Sequence, residues 1–263
     1  MKTEERESIT LMNRGEKMFG IMHRPLSKGA HPVVLFCPGL AGTKSGRYRM
    51  FVSLAQELTK NGIGVFRFDY RGAGDSEGEF HDMTVSSKVE DTLVCLDFLL
   101  KSPDVDTNKI GILGRSLGGA IALLSACHFG AIKSIALWSP LFDGTPWKPL
   151  WEKYQSQSNH VDQSQLLQSI HAPIPNLEFI KQVIQIDMRG VLAKLTDIPM
   201  LHIQGEKDTI VDMRHALAYQ EARKSTSQTK FIPFPEGDHE YSNPQDQAKA
   251  IKETTEWFIQ TLL

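Results

Sequence analysis

Apolar residues along this chain follow two alternating patterns: short unbroken runs, and longer stretches in which they return every three or four positions. The segments Val33 to Cys37, Gly64 to Asp69, Ile110 to Leu113, Ser134 to Ser139, Pro199 to Gln204 and Lys230 to Phe234 read as strands, and the continuous apolar run Val33 to Cys37 is as expected of a strand covered on both faces. Between them, Phe51, Leu54, Ala55 and Leu58 recur at helical spacing until Asn61-Gly62. Val85, Val89, Leu93, Leu96 and Leu100 mark one face of a longer helix ending before Pro103. Further helices are predicted from Leu117 to about Phe129, around His215 to Arg223, and after Asn243-Pro244, where an asparagine cap precedes a first-turn proline. In that last helix Ala248, Ile251, Trp257, Phe258 and Leu262 form the predicted buried stripe. At the other end of the chain, Ser8 to Met12 and Lys17 to Met22 flank Asn13-Arg14-Gly15, which predicts an opening hairpin. Strand followed by helix followed by strand argues for an α/β fold, a mostly parallel sheet with helices on both faces.

The alternation fails between Pro140 and Thr196. Pro140, Pro146, Pro149, Pro173 and Pro175, with the polar run Gln155 to Gln165, make a segment too long for an ordinary connection. Helical pieces around Trp151, over Leu177 to Ile184 and over Val191 to Leu195 predict a small cap at about residues 141–196, placed over the carboxyl edge of the sheet within a single domain spanning 1–263. Phe142, Trp147, Trp151 and Phe179 are candidates to line an apolar substrate pocket beneath it; the plainer reading is that they form the cap's own core.

Composition narrows the classes of partner. A net charge of -2 over 263 residues leaves no electrostatic footprint for nucleic acid or an anionic membrane. The charged start of the chain and the lack of a long apolar run argue against a signal peptide and stable membrane insertion, so a cytoplasmic protein is expected. Cys37, Cys95 and Cys127 lie in apolar patterns without metal-ligand spacing and read as small buried hydrophobes.

Candidate chemistry centres on Lys109-Ile-Gly-Ile-Leu-Gly-Arg-Ser-Leu-Gly-Gly-Ala120, which reads as strand, sharp turn, helix. Gly114-x-Ser116-x-Gly118 is the nucleophile-elbow pattern, with serine on a strained turn and glycines where side chains would collide with the neighbouring strand and helix. Acyl transfer needs a histidine base for that serine and a carboxylate to orient the histidine. Asp208 follows a later strand and His239 the last one, so the three candidates sit at strand ends in the order Ser, Asp, His. Asp212 is the alternative acid, though Asp208 lies nearer its strand end. Asp238 reads as a turn residue, His202 as a packed core imidazole and Ser139 as structural. His128, His160, His171 and His215 lack a catalytic neighbour pattern. The loop Asp69 to Gly78 has three glycines but no Walker or dinucleotide spacing, and reads as a tight turn held by Asp75 and its neighbours.

Over essentially its whole length the chain resembles the α/β-hydrolase superfamily, and within it the small bacterial carboxylesterases of the feruloyl or cinnamoyl esterase kind and the related serine-aminopeptidase-like group. The resemblance is carried by Pro38-Gly39-Leu40-Ala41-Gly42, Asp69 to Gly78, Gly114 to Gly119, Gly205 to Asp208 and Gly237-Asp238-His239. It implies an eight-stranded sheet with a helical cap insertion, with Ser116 as nucleophile, His239 as general base and then acid, and Asp208 as orienting carboxylate. It further implies an oxyanion hole from the backbone N–H groups of Leu40 and Leu117. Pro38 and Arg115 stand where many relatives have histidine. The implied activity is cleavage of small carboxylic esters, of aryl or short acyl kind, through an acyl-serine, with no metal or organic cofactor. A thioesterase, acyltransferase, lysophospholipase or peptidase using the same triad, and a non-catalytic ligand-binding protein, are the alternatives. Homo-oligomerisation is left open.

Overall fold

A computed structural model describes residues 4–156, 174–226 and 228–263. The chain opens with the hairpin β1 (Glu4–Asn13) and β2 (Glu16–Pro25). Its turn places Arg14 and Gly15 at φ 50° and 86°, the left-handed pair that matches the twist of the strands. There follow β3 (His31–Cys37), α1 (Met50–Lys60), β4 (Gly64–Phe68), α2 (Val85–Lys101), β5 (Val105–Arg115), α3 (Leu117–Phe129) and β6 (Ile132–Trp138). After the insertion, which contains α4 (Lys148–Ser156), α5 (Leu177–Val183) and α6 (Met188–Leu192), come β7 (Met200–Gly205), α7 (Met213–Arg223), β8 (Thr229–Phe234) and α8 (Pro244–Leu262).

The eight strands form one sheet in the order β1-β2-β4-β3-β5-β6-β7-β8. β1 and β2 pair antiparallel with each other, and β2 pairs antiparallel with β4; every other pairing is parallel. Because successive side chains of a strand face opposite ways, β3 feeds two cores. Val33, Leu35 and Cys37 pack with α2 and α3, whereas Val34 and Phe36 pack with α1 and α8. Covering both faces removes the polar alternation, which is why β3 reads as an unbroken apolar run over Val33 to Cys37.

Two predicted elements are displaced. The helix expected at Val191 to Leu195 begins earlier, at Met188, because the Asp187 carboxylate accepts from the Arg189 amide at 3.0 Å and caps it there. In α8, Ala248 is exposed, and the buried stripe passes through Ala250, Thr254, Trp257, Phe258 and Leu262. Thr254 belongs to it despite its hydroxyl, which accepts from the Trp138 indole at 2.9 Å. Pro173, His160 and His171 lie outside the described residues, as does most of the polar run Gln155 to Gln165. Among the described residues, no helix is long and apolar enough to cross a membrane.

Candidate active site

Ser116 sits between β5 and α3 at φ 56° and ψ -127°, a conformation costly for a residue with a Cβ and held only where its surroundings over-determine it. Those surroundings are visible. The Ser116 amide donates to the Trp138 carbonyl at 2.9 Å, and its carbonyl accepts from Gly119 at 2.9 Å and Leu141 at 3.1 Å. A Cβ on Gly114 would lie 2.3 Å from the Gly118 oxygen, and one on Gly118 would lie 2.3 Å from the Cys37 oxygen. The glycine spacing is therefore a packing requirement of the turn, where α3 starts against the ends of β3 and β5.

His239 lies on the loop after β8 and is largely buried. Its Nε2 is 3.1 Å from Ser116 Oγ and its Nδ1 is 2.7 Å from Asp208 Oδ2. A carboxylate only accepts, so Nδ1 carries the proton and Nε2 keeps a lone pair towards the serine hydroxyl. Asp208, after β7, is fixed from the other side: its Oδ1 accepts from the amides of Ile210 at 2.9 Å and Val211 at 2.8 Å. Gln204 donates to its Oδ2 at 3.3 Å. The structure thus brings together Ser116, Asp208 and His239. Asp212 instead caps α7, accepting from the Arg214 amide at 3.0 Å, and Asp238 accepts the Glu240 and Ser242 amides within its own turn.

Leu40 and Leu117 both line the cavity in front of Ser116. Among the described residues their backbone N–H groups donate to no protein acceptor. The approach between the two turns is close, since a Cβ on Gly39 would stand 3.4 Å from Ser116 Cβ. The Cys37 thiol, just below, is pushed up to about 12 by burial, which removes it as a competing nucleophile.

The cavity has a volume of about 750 Å³. Trp147 and Phe179 line it, with their rings edge to face at 6.0 Å, as do Leu141, Val183, Ile210 and Val211. Phe142 and Trp151 are outside the lining. Phe142 is almost fully buried against Tyr219, with its amide donating to His215 Nδ1 at 3.1 Å, and Trp151 is half-buried against the core beneath the insertion. His202 is a packed imidazole between Tyr219 and Phe231, taken down to about 4 by burial. Ser139 is hydrogen-bonded to the Tyr241 hydroxyl at 2.9 Å.

Three contributions were not legible from residue types. Arg115 donates from Nη2 to the His239 carbonyl at 2.7 Å and pairs with Glu240 at 2.8 Å. Asp69, and not Asp75, organises the glycine-rich turn: fully buried, it accepts from the amides of Lys44 at 2.6 Å and Asp75 at 3.0 Å. Burial opposes charge on Lys44, but Asp69 and Asp75 outweigh it and hold the ammonium above its usual value. Finally, the segment Arg47 to Arg49 reaches the cavity; a pair of charged residues there gives no sequence signal beyond a solvated loop.

The sheet order, the elbow and the late aspartate and histidine define the α/β-hydrolase fold class. Residues 49–263 match the model of the prolyl oligopeptidase family, Peptidase_S9, and the chain belongs to that family. Among curated proteins it is 29% identical over 129 residues to the quorum-quenching protein AidA of Acinetobacter baumannii, covering 49% of this chain and 41% of that protein. It is 27% identical over 214 residues to the α/β-hydrolase domain-containing protein WAV2 of Arabidopsis thaliana, covering 79% of this chain and 63% of that one. The chain therefore spans less than two thirds of either relative. Among solved structures, Est1E from Butyrivibrio proteoclasticus, determined with ferulic acid bound, superposes with a TM-score of 0.77 at 19% identity, covering 96% of this chain and 98% of that one. That likeness carries the fold.

Proposed function

We propose that this protein is a serine hydrolase that cleaves carboxylic esters through an acyl-serine intermediate. The observation that carries this reading is the continuous Ser116–His239–Asp208 hydrogen-bond chain at the floor of an apolar cavity. In the first half-reaction Ser116 Oγ attacks the ester carbonyl while His239 Nε2 takes its proton, and the Leu40 and Leu117 amides receive the developing oxyanion. The tetrahedral adduct collapses, the C–O bond to the alcohol breaks, and the imidazolium returns the proton to the departing alkoxide. Water then attacks the acyl-serine with His239 again as base, releasing the acid and the free serine. Asp208 holds the Nδ1–H tautomer and stabilises the imidazolium. Trp147 and Phe179 make the cavity wall suited to an aryl or short acyl group.

The fold is shared by enzymes acting on other acyl donors, and the family model is named for peptidases; ester cleavage is favoured here by the likeness to the ferulate-bound esterase. Residues 1–263 are read as one domain with the insertion at about 141–196. The unpaired cysteines suit a reducing, cytoplasmic compartment.

The test is labelling by a fluorophosphonate together with turnover of a p-nitrophenyl ester. Both are expected to fall to background in Ser116→Ala, and in His239→Ala turnover is expected to drop by several orders of magnitude. Unchanged turnover in Ser116→Ala would refute the assignment.

A further inference from the structure

The cavity has two kinds of lining. Trp147, Phe179 and Val183 of the insertion line it, and the segment after β3 contributes Arg47, Tyr48 and Arg49 to the same lining. Charged lining residues comprise three arginines and one glutamate, Glu240, among the described residues. Arg115 engages Glu240 at 2.8 Å and Arg47 approaches it only to 3.8 Å, while Arg49 forms no ion pair among the described residues. The Arg47 guanidinium lies 5.6 Å from the Tyr48 ring centroid and shares with Arg115, at the longer distance, the single Glu240 carboxylate.

The backbone places this segment at a cost. Tyr48 and Arg49 are consecutive non-glycine residues at φ 50° and 60°, where a Cβ is disfavoured. Gly46 before them has φ 68°, and a Cβ there would meet the Phe51 ring at 2.9 Å. Strain of this kind survives where neighbouring structure fixes it, and such positions concentrate at ligand sites. Position relative to the imidazole gives the direction. Arg47 approaches Glu240, the residue after His239, so this rim lies beside the loop that carries the imidazole. In acyl transfer the leaving alcohol departs towards the imidazole, because the imidazolium must protonate it.

Resting on the ester-hydrolase reading above, we propose that the leaving group of the natural substrate carries a phosphate or carboxylate, which Arg47 and Arg49 bind while the apolar acyl group lies along Trp147 and Phe179. Guanidinium forks match both anions, and both share the required chemistry.

The experiment compares esters of one aryl acid with n-butanol, with ω-hydroxybutanoate and with the monophosphate of butanediol, alcohols of similar basicity. At low salt, kcat/KM for the charged esters is expected to exceed that for the neutral one by about fivefold or more, as for a pair of partly exposed charge contacts. The advantage should shrink towards unity at roughly 0.5 M salt, where screening is nearly complete. Which charged ester leads tells phosphate from carboxylate. Arg47→Gln and Arg49→Gln are each expected to lower the charged-to-neutral ratio, and the double variant to erase it. A wild-type ratio of one or less, or a ratio unaltered in the double variant, overturns the proposal while leaving turnover of the neutral ester, and so the hydrolase reading, intact. Calorimetric titration of Ser116→Ala with butanediol monophosphate reads the rim without turnover. Salt-sensitive binding that disappears when Arg47 and Arg49 are also replaced by Gln supports it even if no ester is cleaved, and absence of binding counts against it.

Discussion

Arg115 donates a hydrogen bond to the backbone carbonyl of His239 at 2.7 Å, tying the residue before the candidate nucleophile to the residue that supplies the imidazole. The same guanidinium pairs with Glu240 at 2.8 Å, so both ends of the short His239-Glu240 segment are held to the elbow. A charge-assisted bond of this kind contributes roughly 1.5–3 kcal/mol where it is shielded. Arg115→Met is therefore expected to lower kcat on a neutral ester by about tenfold or more, with a smaller change in KM. Arg115→Lys should recover part of the loss. An unchanged kcat in Arg115→Met would show that the His239 loop is held well enough by Asp208 and its own turn.

Asp208 and Asp212 lie one turn apart in sequence and do different work. Asp208 Oδ2 meets the imidazole while its Oδ1 takes two amides; Asp212 caps α7. Asp208→Asn is expected to cut kcat by about three to four orders of magnitude, the scale of a triad whose histidine tautomer is lost. Asp212→Ala is expected to keep near-normal kcat and to lower stability by about 1 kcal/mol, the worth of an N-cap. Steady-state kinetics and urea unfolding on the two variants decide it, and the reverse outcome would assign the acid to Asp212.

Most of what the sequence made legible rests on two periods and one turn. Strands buried on both faces announce themselves as apolar runs, and Ser116 is marked by glycines that the packing of α3 against β3 and β5 demands. Asp208 and His239 are legible as neighbours of Ser116 because strand ends bring distant residues to one edge of a parallel sheet. What escaped depends on direction and not on residue type. Nothing in the composition of Arg47-Tyr48-Arg49 tells that two left-handed residues turn the segment to the cavity. Asp69 and Asp75 are equally acidic on paper, yet only Asp69 is enclosed at the end of β4 where amides converge. Of the aromatic residues of the insertion, Trp147 and Phe179 line the cavity and Phe142 does not, although Phe179 is as fully enclosed as Phe142.

That division is itself testable. Truncating Trp147 enlarges the cavity wall, so Trp147→Ala is expected to shift kcat/KM towards bulkier acyl groups with a modest loss of stability. Phe142 is 1% exposed, and Phe142→Ala is expected to cost about 3–5 kcal/mol of stability, as core Phe-to-Ala changes do, with the acyl preference retained. An ester series on both variants, with denaturant unfolding, checks the assignment; a changed preference in Phe142→Ala would place that ring at the substrate.

Lys88 supplies the last prediction, because α2 carries it fully into the core. Its Nζ lies 3.8 Å from the Tyr70 ring centroid and, among the described residues, has no hydrogen-bond partner. Burial takes the ammonium from 10.5 down to about 7, with the Asp91 carboxylate and Cys37 acting in the opposite sense. Between pH 7 and 10.5 the unfolded chain keeps a proton that the native chain has released, so this group makes stability rise with pH and lose that gain as pH falls through 7. Burial raises the Cys37 thiol and the Tyr70 phenol instead; the unfolded thiol and phenol ionise first, and their contribution turns against the native state above about pH 9. The clean window is about pH 7 to 8, below the ionisation of the unfolded thiols, where the slope that Lys88 contributes, read as the difference between the natural chain and a Lys88→Met variant, is expected to approach about 1.4 kcal/mol per pH unit for one proton. Lys88→Met, similar in shape and without charge, should be more stable than the natural chain at pH 7 and should lack the slope that Lys88 contributes. Urea unfolding at several pH values across that window checks both, and equal slopes for the two proteins would mean that Lys88 keeps its proton in the folded core.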